Sequence, residues 1–311
     1  MFNIREIDYK NFGKCLEISN GIIKAVVTIS IGPRILDFSF INGKNILFND
    51  EGRIYQHEYA DSNNTYGENN IFYFYGGHRL ELVPRTWPKT MSPDNEPVVY
   101  SKTDDGILFI APSLPLSEGI ELSIKIIING KDSNLMVVHN LKNNSNEQKI
   151  VALGGTTQLN SGGTLIIPQN KLQDEKELSP NKAISLWPYS KFDDTRIHFY
   201  RNFITLKQNP DISRRFKFGF NNQSGVCVYK KDDLAFVKNF LHNSKAQYPD
   251  LNSSFEAYTD ENMLEVTSLS PLWSVAPNES IYHAENWTLK KLDSSKPFDT
   301  IDDIENFMKN L

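Results

Sequence analysis

The sequence predicts an all-β protein, a large antiparallel β-sandwich carrying a short C-terminal helix, and three observations support that prediction. Apolar residues come in short runs of β-branched and aromatic type, many in strict alternation with polar ones, as in a sheet with one face in a core. Gly, Asn, Asp and Pro punctuate those runs in the manner of turns. No long helical segment lies between the strand-like runs, which argues against a parallel α/β sheet. A self-similar period of roughly 20 to 50 residues, the sign of a propeller or solenoid, is also missing.

Taken in chain order, CLEISNGIIKAVVTIS places two strands around Asn20 and Gly21, a pair that tolerates the positive φ of a tight hairpin turn. RILDFSFINGKNILF repeats the design around Asn42 and Gly43. Further strands are expected in GILFIAP, IELSIKIIING, LMVVHNL, KIVALGGTTQL, GTLIIP, RRFKFGFNNQSGVCVYKK, LAFVKNFL, SFEAYTDENMLEVTSLSPLWSV and SIYHAENWTLKKL. In the tail TIDDIENFMKNL, Thr300 caps a first turn with Asp303 three residues on, and Ile301, Ile304, Phe307, Met308 and Leu311 line one face. Residues 1–292 are thus expected to form one sandwich domain, with 293–311 as a linker and helix packed on it.

Composition bounds the function. With 39% hydrophobic and 23% charged residues in 311, the chain has the balance of a globular protein able to bury a core. Its net charge of -5 offers no positive field for a phosphate backbone or an anionic membrane, so neither is expected as a partner. Cys15 and Cys227 fit neither a disulfide framework nor a zinc pattern and read as reduced, structural thiols. The N-terminal stretch MFNIREIDYKNFGKCLEISN lacks the apolar run of a signal peptide, and no segment approaches the roughly 20 apolar residues of a membrane span. A cytoplasmic monomer or homodimer is the expectation.

Two long polar connections, residues 49–100 and 169–203, mix aromatic, basic and acidic groups too densely for disorder and are expected to rim a cleft over one face of the sandwich. Within the first, GGHRLELVPRTWP at residues 76–88 reads either as a wall that grips a polar ligand or as a decorated turn. Tyr75 and Trp87 add aromatic faces there. Arg79 and Arg85 offer guanidinium forks for hydroxyls or a phosphate, with a salt bridge to Glu81 as the rival role. His78 titrates near neutrality and suits a proton donor, unless it only caps the turn. Such a mixture suits a sugar, whose C–H faces stack on aromatic rings while its hydroxyls meet charged groups, and equally a small carboxylate or phosphate.

Other candidates are looser. Arg34, after Gly32 and Pro33, points into the cleft or braces the turn, and Asp94 and Glu96 in SPDNEPV bind ligand or merely form a turn. His283, Glu285 and Trp287 alternate along the last strand and share a face. His57, Glu58 and Asp61 have no second histidine at ligand spacing, so no metal is expected. His139, His198 and His242 read as structural. No phosphate loop, dinucleotide fingerprint or nucleophile elbow occurs, the SGG of residues 161–163 lacking the strand and helix context such motifs need, and no cofactor is expected.

Three stretches resemble the galactose mutarotase-like superfamily, which contains aldose 1-epimerases and hexose-6-phosphate 1-epimerases. NGIIKAVVTISIGPRILDFSFINGKNILF is similar to its opening hairpins, YGGHRLELVPRTWP to the glycine-glycine segment of the sugar-phosphate branch, and MLEVTSLSPLWSVAPNESIYHAENWTL to its C-terminal block. The resemblance spans most of residues 15–292 through short motifs. It implies the superfamily's supersandwich fold and a cofactor-free sugar epimerase, in which a base takes the proton of the anomeric hydroxyl while an acid protonates the ring oxygen. Glu265 matches the position of the base, its alternative being an outward residue on an alternating strand, and His78 is the leading acid. Arg79, Arg85, Trp87, Asp94, Arg34, Tyr75, Thr157 and His283 are the residues expected to bind the carbohydrate. One departure stands out: VALGGTTQLNSGGTLIIP carries glycine and threonine where the family generally keeps another histidine. Thr157 and Gln158 bind hydroxyls but protonate a ring oxygen poorly. The expectation is therefore double, an anomer-exchanging enzyme or a non-catalytic carbohydrate- or sugar-acid-binding protein.

Overall fold

In the computed structural model the residues described are 2–58, 71–86, 89–112, 119–128, 130–171, 176, 178–293 and 300–309. The alternating runs pair as antiparallel strands in two large sheets. Across the first run Asn3–Asp8, Lys14–Ser19, Ile23–Thr28, Ile35–Phe40, His78–Val83, Lys149–Asn160, Met263–Leu269, Phe255–Thr259, Phe216–Phe220 and Ile184–Leu186, with Trp273–Val275 beside the start of Lys149–Asn160. Across the second run Ile197–Phe199, Phe203–Lys207, Thr164–Pro168, Val226–Lys231, Leu234–Phe240, Ser280–Lys291, Asn134–Asn143, Ile120–Ile127, Gly106–Ile110 and Val99–Lys102. A small hairpin, Gln56–Glu58 with Ile71–Tyr73, lies outside both.

The two sheets are held together by alternate residues that form one buried cluster, which includes Phe38, Phe109, Phe218, Phe236 and Trp287. Phe38 and Phe236 both meet the Trp287 ring edge-on, at 5.5 and 5.2 Å between centroids. Each fully buried side chain of this size contributes roughly 1.5–3 kcal/mol. Cys15 and Cys227 are buried, unpaired members of the interior, as their spacing implied.

The first hairpin forms as read: Gly21 takes φ +88°, and the Asn20 side chain accepts from the backbone N–H of Ile22 and of Ile23 at 3.0 Å each. The second expected hairpin forms only its first strand, Ile35–Phe40. Beyond Asn42 and Gly43, the Asn45 amide takes over the pairing by accepting from Phe38 N and Leu47 N and donating to the Leu36 carbonyl. The chain then crosses to the sheet centre through an isolated bridge between Leu47 and Leu159. The tail helix Ile301–Lys309 begins with the expected reciprocal cap, Thr300 N to Asp303 at 2.9 Å and Asp303 N to Thr300 Oγ1 at 3.2 Å. Its Ile304, Phe307 and Met308 cover Ile166, Phe203 and Val228 on the outer face of the second sheet, while Leu311 lies outside the described residues. No described helix is long and apolar enough to cross a membrane.

At the centre of the first sheet, register fixes which residues share a face. His78, Thr157, Val266 and Ala257 lie in one cross-strand row and face the second sheet. Arg79, Thr156, Thr267 and Glu256 form the adjacent row on the opposite face, followed by Gln158, Glu265, Tyr258 and Lys217.

Candidate active site

The second pair of rows floors a cleft of about 570 Å³. Arg79, Glu81, Gln158, Glu265, Tyr258 and Lys217 rise from the sheet. The walls come from the two polar connections: Tyr55, His57, Arg85 and Met91 from the first, Tyr189 from the second. Both connections thus reach the rim, as their composition suggested.

Most charges on the floor neutralise one another. Arg79 pairs with Glu81; Arg85 donates to Glu81 at 2.7 Å and to Glu256 at 3.0 Å; Lys217 reaches Glu256 at 2.6 Å. Burial alone would raise the Glu81 carboxyl, but Arg79, Arg85 and Lys217 hold it down at about 2. Glu256 is held at about 2 against the same penalty by Arg85 and Lys217. Glu265 behaves in the opposite way: burial and the nearby Glu81 push its carboxyl above the ordinary value, with Lys217 and Arg79 only partly opposing. Its side-chain partner is neutral, the Gln158 amide donating to Oε2 at 2.9 Å. A carboxylate with raised proton affinity and no ion-pair partner among the described residues is poised to take a proton.

Two polar atoms of the lining are buried without a hydrogen-bond partner, Gln158 Oε1 and Arg85 Nη2. Each such atom costs about 1–3 kcal/mol unless something complements it. Aromatic surface borders them. Arg215 lies 5.0 Å over the Tyr189 ring, and the Tyr55 and Tyr258 hydroxyls both donate to Asp260 Oδ2, at 2.6 and 3.0 Å, which leaves their rings fixed at the cleft wall.

Of the residues singled out by sequence, the structure brings Glu265, Arg79 and Arg85 together. The glycines of GGHRLELVPRTWP start a central strand: Gly76 and Gly77 have φ of +85° and +69°, and a Cβ on either would strike the backbone of Phe48 or Ile35. Arg79 and Glu81 of that strand are cleft floor, so the stretch is a wall as well as a turn.

His78, assigned as the acid, requires correction. It is wholly buried on the reverse of the sheet, one residue out of phase with the cleft, and has no path to a ligand at Glu265. Thr157 and His283 are corrected for the same reason, since both point into the inter-sheet space. Arg34, Asp94 and Tyr75 belong to a separate brace: Arg34 grips Asp94 at 2.7 and 3.1 Å and lies 5.8 Å over the Tyr75 ring, while Asp94 O accepts from Gly32 N at 2.7 Å. Tyr75 packs on Phe12 and Leu36 there. None of the three lines the cleft. Trp87 and Asp61 lie outside the described residues.

Sequence reading missed Gln158 as the partner of Glu265, and Lys217, Tyr189 and His57 as lining. RRFKFGF carried a signal for Lys217, which alternates with the phenylalanines that turn inward. His57 is the one histidine among the described lining residues; burial, then Arg79 and Arg215, lower its pKa below the usual imidazole value.

Behind the cleft floor lies a closed polar cluster. Lys238 can only donate, so Thr157 Oγ1 accepts from it at 3.0 Å, and the same hydroxyl is hydrogen-bonded to His78 Nδ1 at 2.9 Å. His139 Nδ1–H donates to the His283 carbonyl at 2.8 Å, which can only accept. Burial lowers both imidazoles below their usual value, and with neutral rings His78 Nε2–H is the donor to His139 Nε2 at 2.8 Å. Lys238 also donates to the Gly155 carbonyl at 2.6 Å and pairs with Glu285 at 2.9 Å; Trp287 Nε1 donates to the other Glu285 oxygen at 2.7 Å. A Cβ at Gly155 would strike Glu285 and His139. The ligand atoms of His78, His139 and Glu285 lie within 4.8 Å of one another, a spacing a metal ion accepts, but their lone pairs are engaged and the Lys238 ammonium supplies the cation.

No family model matches the chain, and no curated protein matches it in sequence. Solved structures match it in shape. A candidate aldose 1-epimerase from Klebsiella pneumoniae superimposes with a TM-score of 0.57 at 12% identity, covering 94% of this chain and 84% of that one. A galactose mutarotase-like protein from Clostridium acetobutylicum gives 0.52 at 12% identity, covering 94% and 99%. A TPR-domain containing protein from Parabacteroides distasonis gives 0.59 at 13% identity over 93% of this chain and 49% of that one, so the chain spans about half its length. Similarity at this level of identity specifies architecture, and the architecture of this chain is the galactose mutarotase-like sandwich.

Proposed function

We propose that the cleft over Glu265 binds a carbohydrate and exchanges its anomers without a cofactor, in the manner of an aldose 1-epimerase. The observation that carries this reading is Glu265 itself, a carboxylate of raised proton affinity held by a neutral amide in a cleft whose other floor carboxylates are neutralised. In the forward step Glu265 takes the proton of the anomeric hydroxyl, the C1–O5 bond breaks as the C1 carbonyl forms, and O5 receives a proton from an acid. Rotation about C1–C2 and the reverse transfers close the other anomer. His57 takes the acid role that its position denies to His78, because it lines the same cleft as Glu265. The unpartnered Gln158 Oε1 and Arg85 Nη2 suit hydroxyl groups, and Tyr189 offers a stacking face.

A second reading, carbohydrate recognition without turnover, is favoured by the exposed position of His57, which leaves the proposed acid open to bulk water. Saturation-transfer and anomer-exchange NMR on a panel of hexoses, pentoses and their phosphates separates the two. Exchange faster than in buffer supports the enzyme; binding without acceleration supports recognition alone; absence of both refutes a monosaccharide or its phosphate as the ligand.

A further inference from the structure

Beside the cleft is a second cavity of about 400 Å³, lined by Asn45, Phe48, Asn160, Ser161, Glu261 and Asn262 among others. Glu261 and Asn262 border both cavities, so the turn between strands Phe255–Thr259 and Met263–Leu269 is their shared wall. That wall is stiff: Asp260 Oδ1 accepts from Asn262 N and Met263 N, and Asn262 Nδ2 donates to the Tyr55 hydroxyl at 3.0 Å. An aromatic pair spans the boundary, with the Phe48 ring in the second cavity meeting Tyr55 of the first edge-on at 5.9 Å.

We infer that the second cavity is a subsite for another sugar unit, and that the carbohydrate this protein takes is a disaccharide or longer chain presenting its reducing-end ring to Glu265. The inference rests on the proposed carbohydrate reading of the main cleft. Both cavities fall within the roughly 300–1,000 Å³ of small-molecule sites, so a single pyranose would leave the combined space underfilled. The lining of the second is amide- and hydroxyl-rich with one aromatic face, the chemistry that meets a pyranose ring. The Ser161 hydroxyl and the Glu261 carboxylate form no hydrogen bond or ion pair among the described residues, so both are available to ligand hydroxyls. Lys10 is engaged by Asn49 at 3.0 Å and Glu51 at 2.7 Å, which leaves the cavity without a spare cation among the described residues and makes a second anionic group the poorer occupant.

The test is titration of the full chain with glucose and galactose against maltose, cellobiose and lactose, read by NMR or calorimetry. The subsite predicts that at least one disaccharide binds about tenfold more tightly than its monosaccharide, equivalent to about 1.4 kcal/mol. Ser161→Phe, which fills the cavity from a part-buried turn, brings that ratio to about one. Ser161→Ala, which removes the available hydroxyl without adding bulk, lowers it as well and covers the case in which Ser161→Phe does not fold. Equal affinities for monosaccharides and disaccharides, or a preference that survives both substitutions, overturns the subsite while leaving the main cleft's reading standing. No binding of any of the five sugars overturns both.

Discussion

The two faces of the central sheet strands carry polar residues at neighbouring positions, and those residues do opposite things. His78 and Arg79 are consecutive, as are Thr157 and Gln158, yet the first of each pair enters a sealed cluster and the second an open cleft. In the sealed cluster the lone pairs and N–H groups of His78, His139, Lys238 and Glu285 have partners, and a buried ion pair stands at its centre. In the cleft, Gln158 Oε1 and Arg85 Nη2 are buried with none, and the Glu265 carboxylate has no ion-pair partner among the described residues. A polar residue in a core is thus no sign of function by itself; an unsatisfied one beside solvent is.

The sharpest way to break this contrast is Lys238→Met, which leaves Glu285 buried and uncompensated. It is expected to cost about 3–5 kcal/mol in urea unfolding, whereas Glu265→Gln stays within about 1 kcal/mol of wild type. Equal losses would mean that the cleft face is as structural as the sealed one.

Acid exposes the sealed cluster next. Its histidines are neutral when folded and free to protonate when unfolded, so the unfolded chain binds more protons below about pH 6.5. Their stabilisation is complete above that pH and drains away as the pH falls towards about 3, where burial and then His139 have placed His283. Denaturation midpoints followed from pH 7 to 4 should fall steadily; a flat profile would contradict the neutral assignment.

The cleft has its own pH signature. Glu265 must be ionised to act as base and His57 protonated to act as acid. Burial raises the first and lowers the second, which confines the optimum of anomer exchange to the mildly acidic interval between their ordinary values. A rate that keeps rising above pH 7 would remove His57 from the mechanism. The smallest effect is reserved for the brace outside the cleft: Asp94→Asn weakens the grip on Arg34 and lowers the melting temperature, but changes sugar affinity by less than about twofold, since neither residue lines the cleft.

Strands and turns were legible because alternation and Asn-Gly pairs act locally, as at Asn20 and Gly21. The short strands Ile184–Leu186 and Ile197–Phe199 were not, because each spans three residues inside a polar connection and draws its stability from neighbours remote in sequence. The misplacement of His78 is instructive, since in HRLELV it is in phase with Leu80 and Leu82 while Arg79 is in phase with Glu81. That alternation, which the reading of GGHRLELVPRTWP as a wall or a decorated turn leaves unused, puts His78 on the apolar face; Glu265, in phase with Thr267 and opposed to Leu264 and Val266, faces outward by the same rule. Arg34 and Asp94 meet across 60 residues, and no local pattern announces such a pair.

The most direct test of the account is the anomer-exchange rate of Glu265→Gln, measured by NMR on the best-bound sugar with folding verified by circular dichroism. Removing the floor carboxylate of raised proton affinity should return exchange to the buffer rate while binding persists within about tenfold. Exchange that continues at the wild-type rate would show that the chemistry, if any, does not reside in this cleft.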